Sequence, residues 1–200
     1  MKLVLASKNE RKLREMNEIL SGLGIEACLQ SEAGVDVDVE ETGSTFEENS
    51  LLKAKAVMEA SGLPAVADDS GLCVDALNGA PGVWSARYGG EGLDDTGRYR
   101  LLLANMPRGA ARTAKFVSAI TCCFPNGDVI RAQGECPGTI AFAPMGEGGF
   151  GYDPVFFVPG LKKTFAQLSP EEKNAVSHRG KALEAFAERL AAYVGSAEPS

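Results

Sequence analysis

Two adjacent carboxylates, Asp68 and Asp69, close the apolar run Leu63-Pro64-Ala65-Val66-Ala67, and any fold this chain adopts has to accommodate them. The run reads as a buried strand, and its exit is a costly place for unpaired negative charge. A pair held there calls for a cation, a set of hydrogen-bond donors, or a raised pKa on one member. Each of these belongs more naturally to an active site than to a scaffold. The competing reading of Asp68-Asp69-Ser70-Gly71 is a strand-to-loop turn, because Asp, Ser and Gly all favour turns. The segment alone leaves both readings open.

The flanking pattern predicts alternating strands and helices. Lys2 to Ala6 reads as a strand, Leu13, Met16, Ile19 and Leu20 recur at helical spacing over Glu10 to Leu20, and Ile25 to Leu29 reads as a second strand. Thr45-Phe46-Glu47-Glu48 signals a capping box, and the helix it opens runs to Gly62. Glycine and proline crowd Asn78 to Gly92, and a helix follows over Asp94 to Asn105. Thr113 to Phe124 and Val129 to Glu135 flank Pro125-Asn126-Gly127-Asp128, a hairpin signal. Val155-Phe156-Phe157-Val158 is a further apolar run, Ser169-Pro170 opens a short helix, and a last helix covers about Ala182 to Val194 before an end expected to fray. The expected fold is α/β, with a mixed, twisted central sheet flanked by helices, in one domain over residues 1–200. The glycine-rich middle points to two lobes with the active site in a cleft between them.

Composition excludes several classes of function. With 44% hydrophobic and 24% charged residues, the 200-residue chain can bury a core without disulfide staples. Its five cysteines are odd in number and form no Cys-x-x-Cys, which fits a reducing, cytoplasmic setting. No apolar stretch approaches the roughly 18 to 20 residues of a membrane span, so no membrane partner is expected. A net charge of −7 argues against nucleic acid as the main ligand but allows a small phosphorylated molecule at a local basic cluster. The single histidine, His178, excludes a zinc site of several imidazoles; a carboxylate site would take Mg²⁺, with Mn²⁺ as a substitute.

Four segments could supply that chemistry. Ser7-Lys8-Asn9-Glu10-Arg11-Lys12 lies where the first strand turns into the first helix, a place that favours anions, although a solvated first turn is an equally natural reading. Asp36, Asp38, Glu40 and Glu41 form an acidic stretch whose ordinary fate is a solvated loop. If Glu41 approaches Asp69, the two could hold one divalent ion, with Lys53 reaching the same phosphates. Gly149-Phe150-Gly151-Tyr152-Asp153 places aromatics among glycines, which suits stacking against a flat base or packing in a core. Lys173 and Ser177-His178-Arg179 gather hydrogen-bond donors.

In order along the chain, Ser7-x-Asn9-x-x-Lys12, Thr45-Phe46-x-Glu48-Asn49, Ala67-Asp68-Asp69-Ser70-Gly71-Leu72, Pro81-Gly82-Val83-Trp84-Ser85-Ala86-Arg87-Tyr88, Gly149-Phe150-Gly151-Tyr152-Asp153-Pro154 and Ser177-His178-Arg179 resemble the noncanonical purine nucleoside triphosphate pyrophosphatases, the inosine/xanthosine triphosphate pyrophosphatase (ITPase-like) family. The likeness runs from Lys2 to about Val194, and it implies a homodimeric, Mg²⁺-using hydrolase. Such an enzyme cleaves ITP, dITP and XTP to monophosphate and pyrophosphate, clearing deaminated purines from the nucleotide pool. It further implies that Ser7, Lys8, Asn9, Glu10, Arg11 and Lys12 bind the triphosphate, that Asp69 is the proton acceptor, and that Ser70 contacts substrate. Glu41 and Asp69 would lie at the metal, with Asp68 a further candidate, and Lys53 would support the phosphates. Phe150, Gly151, Tyr152, Asp153, Lys173, His178 and Arg179 would surround the nucleoside. Two positions depart from the family pattern: Arg11 stands where glycine is frequent, and Ser50 where alanine usually follows the Glu-Asn pair. A nucleotide-binding sensor without turnover, a phosphatase releasing orthophosphate, and a pyrophosphatase of modified pyrimidine nucleotides are the rival readings.

Overall fold

Seven strands form one mixed sheet in a computed structural model of the chain, which describes residues 1–197. The strands are β1 (Lys2–Leu5), β2 (Glu26–Leu29), β3 (Ala65–Val74), β4 (Thr113–Cys123), β5 (Val129–Ile140), β6 (Phe156–Val158) and β7 (Lys163–Thr164), in the order β2-β1-β3-β4-β5-β6-β7. β1 runs parallel to β2 and β3, while β6 is antiparallel to β5 and β7. The helices are α1 (Glu10–Leu20), α2 (Phe46–Ser61), α3 (Asp95–Asn105), α4 (Pro170–Val176) and α5 (His178–Ala197). The expected α/β class with a mixed sheet is thus the observed one. The fraying expected at the chain's end concerns residues outside those described.

The chain divides into two compact units. The first contains Met1–Asp69, Ser118–Gly134 and the chain from Lys181 onward; the second contains Ser70–Val117 and Glu135–Gly180. In the first unit, strand alternation sends side chains to two faces. Leu3, Leu5 and Val66 pack with Met16 and Leu20 of α1 and with Phe186 and Leu190 of α5. Val4 and Ala65 pack instead with Val57 of α2, and Ala67 with Ala54 of the same helix. The second unit has its own core, in which Phe116, Phe156 and Phe165 meet at ring-centroid distances of 4.6 to 5.5 Å.

Three sequence expectations need correction. β3 does not end at Ala67 but continues to Val74, so the paired aspartates lie inside a strand and the turn reading fails. β5 runs past Glu135 to Ile140, through a Pro-Gly step that reads as a stop. Gly138 is required there for another reason: a Cβ would meet the Phe156 ring and the Phe157 carbonyl at 2.6 Å, so glycine admits β6. The last helix starts at His178 rather than near Ala182. Gly180 looks like a breaker, yet its N–H donates to Ser177 Oγ at 3.0 Å, and a Cβ would lie 2.4 Å from the Asn174 carbonyl.

β2 stands at one end of the strand order, and side chains cover its outer backbone groups. Asn17 of α1 imitates a neighbouring strand: its Oδ1 accepts the Ala27 N–H at 2.7 Å and its Nδ2 donates to the Ala27 carbonyl at 3.0 Å. Glu32 accepts the Leu29 N–H at 2.7 Å. Such covering blocks pairing with a foreign strand. Ala27 is buried, so Asn17→Ala leaves a donor and an acceptor unsatisfied. The expected loss is about 1–3 kcal/mol in urea unfolding, with a rise in concentration-dependent association.

Candidate functional site

Alternation along β3 separates the two aspartates that the sequence sets side by side. Asp68 follows Val66 toward the α1 face, and Asp69 follows Ala67 toward the α2 face. Each meets a lysine from the helix on its own side. Lys12 Nζ lies 2.9 Å from Asp68 Oδ1. Lys53 Nζ lies 3.1 Å from Asp69 Oδ1 and 2.8 Å from Glu41 Oε1, and it also donates to the Asp68 carbonyl at 2.8 Å. Asp68 and Asp69 are largely shielded from solvent, with side-chain exposures of 8% and 11%.

The electrostatics follow from this geometry. Burial raises the Asp69 pKa above the ordinary carboxylate range; Lys53 opposes the rise and Glu41 adds to it. For Lys53, burial works against the charged form, but Asp69, Glu41 and Asp68 outweigh it and hold the ammonium above its usual range. Asn49 is a participant that residue-by-residue reading of the sequence overlooked. Its Oδ1 accepts the Gly43 N–H at 2.8 Å, and the side chain is fully buried. Its Nδ2 meets no acceptor at full hydrogen-bond geometry, yet the amide lies near enough to Asp69 to favour the carboxylate weakly. The departing residue Ser50 is buried and bonded, its Oγ 2.7 Å from Thr121 Oγ1.

The turn into α1 is organised by its own side chains. Asn9 caps the helix by accepting the N–H groups of Arg11 at 2.9 Å and Lys12 at 3.4 Å, and Ser7 Oγ accepts the Asn9 N–H at 3.1 Å. Lys8 is exposed and pairs with Asp36 at 2.8 Å, while Arg11 approaches Glu15 at 3.6 Å. Glu10 is exposed in the first turn. Of the acidic stretch, then, Glu41 joins Asp69 on one ammonium, and Asp36 meets a lysine of the α1 turn.

Glu41 and Asp69 are the candidate holders of a divalent metal. These two carboxylates already share one cationic group, the Lys53 ammonium, so their spacing suits positive charge. Among the described residues no group of three or more His, Cys, Asp or Glu forms a metal cage. Two carboxylates with the remaining positions left to phosphate and water is the usual arrangement for Mg²⁺, so the donor set fits.

The second unit holds the other candidate residues. Ser70 is exposed on β3, on the strand face that Asp68 shares. Phe150 lies between Gly149 and Gly151, both in the left-handed region at φ +74° and +59°, and keeps 54% of its surface exposed. Lys173 Nζ sits 4.8 Å from the Phe150 ring centroid and 2.6 Å from Asp153 Oδ2. Asp153 is buried and also accepts the Phe150 N–H at 3.0 Å. A Cβ on Gly149 would fall 2.0 Å from Asp153 Oδ2, so only glycine fits. Tyr152 is buried, and its hydroxyl donates to the Ser85 carbonyl at 2.7 Å; burial pushes the phenol pKa up. Tyr152 and Asp153 therefore shape the loop from within, and Phe150 is its exposed aromatic face. His178 and Arg179 open α5, and the imidazole stacks on Phe116 at 4.7 Å and 13°.

A family model described as the Ham1 family matches residues 3–189. The chain belongs to the Ham1 family. Among curated Ham1 relatives, the dITP/XTP pyrophosphatase of Haemophilus influenzae is 50% identical over 193 residues, covering 94% of this chain and 98% of that protein. The dITP/XTP pyrophosphatase of Desulforamulus reducens is 49% identical over 95% of this chain and 96% of its own length. Among solved structures, a HAM1 protein from Coxiella burnetii superposes with a TM-score of 0.90 at 44% identity, covering 98% of this chain and all of that one. The Staphylococcus aureus Ham1 protein gives a TM-score of 0.89 at 42% identity. No helix among the described residues of this Ham1 chain is long and apolar enough to cross a membrane.

The raised pKa of Asp69 has a consequence for stability. The unfolded carboxyl ionises in its ordinary range, whereas the folded one keeps its proton to higher pH. Between those two pH values the folded state binds more protons, so this group's contribution to stability falls as pH rises. In ligand-free, metal-free protein, Asp69→Asn is expected to raise the thermal midpoint at neutral pH. The gain should shrink as pH is lowered through the Asp69 titration, measured by thermal melts from neutral to acidic pH.

Proposed function

We propose that this chain hydrolyses noncanonical purine nucleoside triphosphates, dITP, ITP and XTP, to the nucleoside monophosphate and pyrophosphate. The convergence of Glu41 and Asp69 on the Lys53 ammonium carries this conclusion, because it concentrates a shielded carboxylate with a raised pKa beside positive charge. Relatives at about half identity over nearly the whole chain that bear the name dITP/XTP pyrophosphatase support it.

In the reaction, a water oxygen bonds to the α-phosphorus, the bond from that phosphorus to the bridging oxygen breaks, and pyrophosphate leaves. Asp69 takes the proton from the attacking water, a role that suits a carboxyl whose pKa burial raises. Lys12 and Lys53 bring positive charge to the phosphate oxygens, and the carboxylates that now hold them, Asp68 and Asp69, fix where those charges sit. Glu41 and Asp69 would hold Mg²⁺, or Mn²⁺ in its place, with Asp68 serving as the anchor of Lys12. A divalent ion held there supplies charge neutralisation on the phosphates. Ser7 to Lys12 take the triphosphate at the α1 turn, where arriving phosphate oxygens compete with Asn9 Oδ1 for the Arg11 and Lys12 N–H groups. Ser70 contributes a hydroxyl to the substrate.

Phe150, Lys173, His178 and Arg179 take the nucleoside. Hypoxanthine and xanthine carry a 6-oxo acceptor that the donors of His178 and Arg179 can meet, whereas adenine presents a 6-amino donor. A mismatched buried donor pair costs about 1–3 kcal/mol per group, which disfavours ATP.

Incubation with an ITP, XTP, dITP, dUTP, ATP and GTP panel plus Mg²⁺, with identification of the phosphorus product, tests the function. Pyrophosphate from ITP is expected; orthophosphate, preferential turnover of dUTP, or binding without product would replace the proposal. Asp69→Asn is expected to lower kcat by about two to four orders of magnitude with the fold retained, the range for a positioned general base. A folded, fully active variant would remove Asp69 from the mechanism.

The working form is inferred to be a homodimer. This reading rests on the resemblance to the family, and the exposed aromatics Trp84 and Phe142 each already carry a guanidinium, Arg87 at 4.5 Å and Arg112 at 4.2 Å. Sedimentation of the protein should give twice the chain mass, and a monomer across the working concentration range would contradict it.

A further inference from the structure

Phe150 is the exposed aromatic of a loop that glycines on both sides leave intrinsically free to move. Two carboxylates from different elements grip the backbone N–H groups that bracket its ring. Asp153 Oδ2 accepts the N–H of Phe150 at 3.0 Å, and Asp95 Oδ2 accepts the N–H of Gly151 at 2.7 Å. Asp153 belongs to the glycine-rich loop itself, whereas Asp95 comes from the first turn of α3, far away in sequence. Helix α3 does not need Asp95 as its cap: Asp94 fills that position by accepting the Gly97 N–H at 2.7 Å. Asp95 is thus left to reach the loop with a short, charge-assisted hydrogen bond. Beneath the ring, Lys173 completes the support at 4.8 Å.

We propose that Asp95 is a positioning residue for nucleoside binding, acting through the Gly151 N–H to hold the Phe150 ring in the orientation that receives the purine. The role rests on the assignment of Phe150 to the nucleoside. Without the Asp95 bond, Gly151 regains its φ/ψ freedom, and the ordering of the ring has to be supplied by substrate binding, which weakens affinity without touching the phosphate chemistry.

The test is a double-mutant cycle on the full chain with ITP and Mg²⁺, using Asp95→Ala, Phe150→Ala and the combination, with Asp95→Asn as the conservative variant. Thermal melts of each variant confirm folding, and inorganic tripolyphosphate serves as a competitor that lacks a base. Loss of one charge-assisted bond should raise KM for ITP about threefold to tenfold in Asp95→Ala, with kcat within about twofold. In the Phe150→Ala background the same substitution should have no further effect on KM. Asp95→Asn keeps an acceptor and should restore most of the affinity, and tripolyphosphate inhibition should be unchanged throughout.

A rise in KM for Phe150→Ala with none for Asp95→Ala would overturn the positioning role alone. Additive effects in the cycle, or weakened tripolyphosphate inhibition by Asp95→Ala, would also overturn it, since either would mean that Asp95 acts elsewhere. Unchanged KM in both single variants would overturn the nucleoside assignment of Phe150 and the role of Asp95 with it.

Discussion

The period of two along a β-strand organises the charged centre of this protein. Because β3 continues through Asp68 and Asp69, the two carboxylates leave the backbone on opposite faces and do not share one cation at close range. Each therefore needs its own cation, and the helix packed on each face supplies one: Lys12 from α1 and Lys53 from α2. The surrounding core depends on the same alternation, since Val66 and Ala67 face the two helices just as the aspartates do. A shift of one residue in the register of β3 would exchange both the apolar and the charged partners at once.

The two pairs do different work because their surroundings differ. Asp68 accepts one lysine on one side, an arrangement that anchors the lysine. Asp69 shares its lysine with Glu41 in a shielded position, where burial and a second carboxylate push its pKa up. A carboxylate that is costly to keep charged, next to a second carboxylate and an ammonium they share, is the kind of perturbed group that concentrates at functional sites. The cost is local instability in the ligand-free state, of the kind expected where a site is built for binding rather than for the fold.

The second unit solves a different problem. The Phe150 ring is exposed, and exposure removes the packing that would hold it still. Here the order comes from polar contacts made behind and beside the ring, through Asp153, Lys173 and Asp95, and from the hydroxyl of Tyr152 fastened to Ser85. The glycines at 149 and 151 are the condition for this arrangement, because Gly149 has no room for a Cβ against Asp153 and both adopt left-handed φ.

Much of this was legible in the sequence. Helical spacing located α1, the Thr45 cap located α2 and Asn-Gly located the β4–β5 hairpin, and residue type marked Glu41 and the aspartate pair as charges that must be met, because local spacing and side-chain type carry those signals. Position within an element was less legible. Asp-Asp-Ser-Gly looks like a turn, the fifth strand reads as ending at Glu135 and the last helix as starting near Ala182, yet long-range contacts override each local preference. What the sequence determined by itself was the set of charged and aromatic groups and the period of the elements that carry them. What only the tertiary structure decided was the partnership of those groups. Asp68 goes to Lys12, Asp69 and Glu41 go to Lys53, and Asp95 goes to Gly151, because residues up to 56 positions apart meet only when strands and helices pack, and packing, unlike propensity, is not written in any local stretch of chain.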